Sequence, residues 1–225
     1  MKILFLSEFF PTKLGGKLSG GSEARTYYLA NEMSRLGHTV SVITARLPGT
    51  FSEEDWSEVK VYRVGPERSY VQGADLIKRV EFWFALLIKS LFINFDLVDG
   101  NNTAVYVTAY FISRFKRKKC VYWIPDLPSF SKWQTIVGSL FATINIFNQW
   151  LSLKLEANGI IALSHYTQGL IQSYGIVKNK ISIIYPGVPE VGLKNKAKHK
   201  IPTIVSIQRL THYKRTDLVI SALAV

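Results

Sequence analysis

One cysteine, Cys120, stands in a chain of 225 residues. A single thiol excludes an internal disulfide and makes a reducing cytoplasm the expected setting. Acidic residues are scarce, 16 against 28 Lys and Arg, for a net charge of +12. That surplus points to an acidic counterpart: nucleotide phosphates, anionic lipid headgroups or nucleic acid. No signal-peptide pattern precedes the first apolar run, and no His/Cys/Asp spacing suggests a metal site. There is no internal repeat and no low-complexity segment. Trp133 to Leu153 carries no charge, yet Gln134, Asn145, Asn148 and Gln149 make it too polar to span a bilayer.

What is present is apolar and alternating. Hydrophobic residues make up 48% of the chain and mean hydropathy is +0.11, high for a protein with an all-polar surface. Lys2 to Ser7 is a short apolar run, the mark of a buried parallel strand. A loop with Gly15, Gly16, Gly20 and Gly21 follows. Ser22-Glu23 then opens a segment with Tyr27, Leu29, Ala30, Met33 and Leu36 at helical spacing, and Gly37 closes it as a left-handed cap. His38 to Thr44 alternates and reads as a second strand. A glycine loop at a helix N-terminus offers free N–H groups and a favourable dipole to a phosphate.

Further along, Val59–Val64, Asp96–Gly100, Lys119–Ile124, Gly159–Leu163 and Ile181–Ile184 read as strands. Glu53, Glu54, Asp55 and Glu58 read as an acidic loop. Helices are expected over 74–94, 103–115, 131–155 and from Ser164 to Tyr174. This alternation predicts an α/β fold with a Rossmann-like, doubly wound parallel sheet. Residues 1–190 form the expected first domain and 191–201, with Lys194, Lys196, Lys198 and Lys200, a basic linker. Residues 202–225, with a strand over Thr203–Ile207 and a helix from Asp217, read as the first βα unit of an incomplete second domain.

Several motifs in register resemble one family. Gly20-Gly21-Ser22-Glu23, Leu29-Ala30 and Leu36-Gly37-His38-Thr39-Val40 are similar to the opening of retaining glycosyltransferases of the GT-B fold (family 4-like, group 1). Phe95-Asp96-Leu97-Val98, Ile161-Ala162-Leu163-Ser164 and Ser206-Ile207-Gln208-Arg209-Leu210 with Lys214 follow in the family's order. The resemblance implies transfer of a sugar from a nucleoside diphosphate donor, UDP or GDP, with retention and usually without metal or other cofactor. It implies that Gly20, Gly21, Arg209 and Lys214 hold the donor diphosphate. Glu23, Asn101 and His165 become candidates for the acceptor or sugar. Where relatives carry a His after the fifth strand this chain has Pro125, leaving Asp126 as the candidate catalytic residue, and Pro189 stands where they often have Asp.

Each assignment has a plainer counterpart. Gly20 and Gly21 also suit a tight turn, Arg209 and Lys214 a solvated basic loop, and Asp126 a Pro-flanked turn. The helical stripe of Ile136, Leu140, Ile144, Phe147 and Leu151 suits either packing on the sheet or the surface of an anionic membrane. With the second reading, the acceptor is a lipid-linked glycan or glycolipid and the protein is peripheral on the inner face of the membrane. A nicotinamide oxidoreductase is disfavoured: the loop is too long, and Thr44-Ala45-Arg46 offers no carboxylate for a ribose. Nucleic acid is disfavoured as a partner because the aromatics do not interleave the basic residues. A non-catalytic sugar-, nucleotide- or membrane-binding module of the same fold is the remaining alternative. On this reading the 225-residue chain alone is inactive.

Overall fold

A computed structural model describes residues 1–69, 76–187, 201, 203–208, 210 and 214–223. The chain divides into two compact units, Met1–Val188 and Pro189–Val225. The first holds an eight-stranded sheet in the order β3-β4-β2-β1-β5-β6-β7-β8. Its strands are β1 (Lys2–Leu6), β2 (Thr39–Ala45), β3 (Glu53–Trp56), β4 (Val59–Val64), β5 (Leu97–Gly100), β6 (Lys119–Ile124), β7 (Gly159–Ala162) and β8 (Ile181–Ile183). Every pairing is parallel except that of β3 with β4. The expected doubly wound α/β fold is therefore the one observed.

Alternation along the central strands builds two cores. Ile3 and Phe5 face Val40, Val42, Val59 and Val61 beneath α1 (Gly21–Arg35). Leu4 and Leu6 face the other way, toward Phe82 and Leu86 of α2 (Leu76–Phe92) and Ala109 and Ile112 of α3 (Tyr106–Phe115). A sheet covered on both faces needs apolar residues in succession, which is why its strands read as runs. The strand-to-strand connection through α1 ends as expected: Gly37 sits at φ 84°. Its N–H donates to the Ser34 carbonyl at 2.8 Å, and the His38 N–H to Met33 at 3.1 Å, a Schellman cap. Leu36 departs from the expected helix face and is 70% exposed.

Three elements differ from the sequence expectation. The acidic segment Glu53–Trp56 is not a loop but the antiparallel edge strand β3. A two-residue turn through Ser57 at φ 59° closes the hairpin, and Glu54 accepts from the buried Arg63 Nε at 2.6 Å and from Trp56 Nε1 at 2.8 Å. The single helix expected over 131–155 is two helices, α4 (Phe130–Val137) and α5 (Ser139–Lys154), because Gly138 takes φ 80°. The stripe on α5 does not face the sheet: Ala142, Gln149, Ser152 and Leu153 are buried, whereas Leu140 and Phe147 are 67% and 60% exposed.

Helix α6 (His165–Ser173) follows β7, and a 3-10 turn (Lys178–Lys180) leads into β8. In the second unit the described residues include a short helix, α7 (Thr216–Ser221). Thr203–Ile207 is not a strand there; Ile204 and Ile207 are 68% and 94% exposed. A lone β segment without a neighbouring strand leaves its backbone groups unpaired within the protein. The expected linker at 191–201 lies outside the described residues except for Ile201, and Pro189 and Arg209 lie outside them too.

Candidate functional site

Strand order reverses between β1 and β5. In an open parallel sheet the carboxyl ends of the strands at such a point form the crevice where ligands bind. Ser7 follows β1 here, Asp99 and Gly100 end β5, and Asn101 comes next. The first turns of α1 bring Ser22, Glu23 and Arg25 over them. Arg25 grips Asp99 with both guanidinium ends, Nη2 to Oδ2 at 2.8 Å and Nη1 to Oδ1 at 3.1 Å. The side chains are 12% and 7% exposed, and two parallel bonds on one carboxylate fix the geometry as a single bond does not.

Asn101 is fully buried and ties three elements together. Its Oδ1 accepts from Arg25 Nη1 at 3.3 Å, and its Nδ2 donates to the Ser22 carbonyl at 2.7 Å and to Ser7 Oγ at 3.2 Å. The Arg25 guanidinium lies 4.8 Å from the centroid of the Trp123 ring at the end of β6, in cation–π range. Below it, the Tyr106 hydroxyl donates to the Trp123 carbonyl. Burial raises the pKa of Tyr106, and the charge of Asp99 adds to that rise, so the hydroxyl remains a donor at neutral pH.

The remaining candidates surround this cluster or lie apart from it. Gly20 is the N-cap of α1 at φ −162°, and Gly21 is the first helical residue. A Cβ on either would meet no atom within 4 Å. The folded backbone therefore does not itself demand glycine at these places, and the space above the helix N-terminus is open to an approaching phosphate. Glu23 is buried, and its Oε2 accepts the Ser19 N–H at 2.8 Å, pinning the glycine loop to the first turn. His165 begins α6 and is exposed; Ser164 caps that helix by accepting the Thr167 N–H. Asp126 lies past the end of β6, 3.3 Å from Lys132 Nζ, in a largely solvated pair. Lys214 belongs to the second unit.

The structure thus brings Gly20, Gly21, Glu23 and Asn101 to one edge of the sheet. It adds Arg25, Asp99, Ser7 and Trp123, which sequence reasoning did not single out. Arg25 and Asp99 are 74 positions apart; the one local signal was an arginine two residues after a buried glutamate on a core-facing helix. Among the described residues, no group of three or more His, Cys, Asp or Glu is placed to hold a metal ion. No helix among them is long and apolar enough to cross a membrane.

Comparisons with known proteins agree with this architecture. The profile of the family described as Glycosyltransferase Family 4 matches residues 19–190. Among solved structures, HepE from Anabaena, determined with UDP-glucose, is similar at 18% identity and a TM-score of 0.52 over 84% of this chain and 44% of its own. Sucrose-phosphate synthase from Thermosynechococcus elongatus is similar at 13% identity and a TM-score of 0.63, over 83% of this chain and 48% of its own. The lipopolysaccharide outer core galactosyltransferase WaaB is similar at 16% and 0.51, over 84% and 46%. The chain spans less than half the length of each of these three proteins. No curated protein matches.

Proposed function

Because the chain belongs to Glycosyltransferase Family 4, we propose that it is the acceptor-side part of an enzyme that moves a sugar from a UDP or GDP donor with retention of configuration. The observation that carries this reading is the crevice at the β1/β5 reversal, where an open helix N-terminus adjoins the Arg25–Asp99–Asn101 network. The open N–H groups of α1 beside Gly20 and Gly21 suit a phosphate. The buried network of Arg25, Asp99, Asn101 and Trp123 sets the floor beneath it and fixes the first turn of α1 in place. Arg209 and Lys214 supply positive charge to the departing diphosphate, the fork of one and the point charge of the other suiting phosphate oxygens. With Pro125 in place of a histidine, transfer relies on diphosphate stabilisation and positioning, and Asp126 hydrogen-bonds the acceptor hydroxyl.

The acceptor is lipid-linked. What supports this is the outward face of the layer formed by α2, α3 and α5. Ile77, Phe84 and Phe92 of α2 are 71%, 63% and 80% exposed, and Phe115 of α3 is 76% exposed. Basic residues Lys89, Arg114 and Lys116 to Lys119 occur on or beside the same helices. Exposed apolar surface on this scale marks an interaction site, and the charge suits anionic headgroups.

The test uses the chain joined to a complete second domain, a donor labelled in its sugar, and a polar lipid extract. Label appearing in lipid, in the anomeric configuration of the donor, is the expected result. Label that stays on the donor contradicts the transferase reading and favours a non-catalytic binding module; label released only as free sugar shows donor hydrolysis and contradicts the lipid acceptor.

A further inference from the structure

A second charged cluster lies on the other side of β1. Glu8 follows the end of this strand, and its carbonyl accepts the Ala45 N–H at 3.3 Å, fastening it to the end of β2. Arg46 comes next in the chain after β2; its N–H donates to the Val64 carbonyl at 3.2 Å, and its own carbonyl accepts the Arg68 N–H at 3.1 Å. The carboxyl ends of β1, β2 and β4 thus carry Glu8, Arg46 and Arg68 side by side, and α2 adds Arg79. Arg68 Nη2 donates to Glu8 Oε1 at 3.1 Å, and Arg79 Nη2 lies 3.7 Å from the same oxygen.

Among the described residues the charges of this cluster do not balance. Among these residues, one carboxylate faces two guanidinium groups whose side chains are 11% and 16% exposed, and the Arg46 backbone lies at the same end of the sheet. The Nε atoms of Arg46 and Arg68 are buried without a hydrogen-bond partner among the described residues. A structural ion pair needs neither the surplus charge nor the idle donors, since an unpaired buried donor costs stability. Arg68 is held rigidly, 4.6 Å from the Phe82 ring centroid and 5.1 Å from that of Phe9. Its pKa is lowered chiefly by burial, against the opposing pull of Glu8 and with a further push from Arg79. Rigid, partly dehydrated guanidinium groups with spare N–H donors are a ready receiver for a tetrahedral oxyanion.

We propose that Arg46, Arg68 and Arg79 form an anion subsite that binds a phosphate group, with Glu8 holding the arginines in place as an internal competitor when the subsite is empty. Ser7, the neighbour of Glu8, accepts from Asn101, so the subsite adjoins the crevice and suits a phosphorylated acceptor. In that role it rests on the transferase reading; as a phosphate site it does not. The phosphate belongs either to a sugar phosphate or to a lipid phosphate, whose chain would find Ile77 and Val80, both exposed, beside Arg79 on α2.

Calorimetric titration of this chain with inorganic phosphate tests the subsite without any donor. Arg79→Gln weakens phosphate binding about tenfold, and Glu8→Gln, by removing the competitor, tightens it by a similar factor. Raised salt weakens both. Unchanged circular dichroism shows that each variant is folded; if Glu8→Gln is not, Arg79→Gln carries the test alone. Equal affinity in all folded forms, or no binding by the unaltered chain, overturns the proposal. Glucose 6-phosphate and a short-chain phosphatidic acid, titrated in parallel, separate the sources: the tighter of the two names the acceptor class, and binding of neither overturns the acceptor role. Phosphate binding without sugar transfer in the labelling assay would leave the subsite standing and remove the transferase reading.

Discussion

Replacing Arg25 by Met leaves Asp99 buried at the end of β5 with its main partner gone. The two carboxylate oxygens receive their bonds from Arg25 at 3.1 and 2.8 Å, and the Asp99 side chain is 7% exposed. Removing one member of a buried pair costs about 3–5 kcal/mol, because the remaining charge stays dehydrated and uncompensated. For a chain of this size each kcal/mol lowers Tm by about 2–4 °C, so the expected fall is about 6–20 °C. The double variant Arg25→Met/Asp99→Leu removes both charges and should recover most of that loss. Urea unfolding followed by tryptophan fluorescence reads both, since Trp123 lies against Arg25. An exposed control, Arg35→Ala, breaks a pair whose side chains are 75% and 58% exposed and should not move the midpoint measurably. If Arg25→Met behaves like that control, or if the double variant is no more stable than the single one, the network is not the buried anchor described here.

Further outcomes follow from other parts of the sheet. Gly65→Ala should cost about 1–3 kcal/mol in urea unfolding, because Gly65 sits at φ +77° and a Cβ there would lie 2.9 Å from the Phe82 backbone. Cys120 is buried and its thiol is pushed up to about 12, chiefly by burial. It should resist Ellman's reagent in the native protein and react once unfolded; only the unfolded chain ionises this thiol between about 9 and 12, so stability falls as pH rises through that window. Asp96 is held below the usual carboxylate range, first by the Lys2 backbone N–H and then by Lys118. Its contribution is therefore complete above the ordinary Asp range and lost as pH falls below it, and Asp96→Asn should flatten the acid limb of the pH–stability curve.

The strands that pair in the interior were legible because a sheet buried on both faces leaves a continuous apolar record, as in Ile3–Leu6. Gly37 was legible because its left-handed conformation has few substitutes. β3 was not, since Glu53, Glu54 and Asp55 are poor strand formers and Glu54 is held in place by a tertiary partner, Arg63, that local pattern does not reveal. The α5 stripe was read correctly as a stripe, but periodicity does not say whether an apolar face looks inward; here the small and polar residues do. At the site, Gly20, Gly21 and Glu23 belong to one short motif. Arg25 and Asp99 meet only because β5 returns beside β1, a contact invisible until the topology is known.

The central claim is that this chain works with a nucleoside diphosphate sugar, and calorimetric titration tests it most directly. UDP-, GDP- and ADP-sugars are titrated into the chain joined to a complete second domain, beside the same protein with Arg209→Ala and Lys214→Ala. Binding to one nucleotide class, lost in the double variant, is the predicted result; heat from no nucleotide sugar would contradict it.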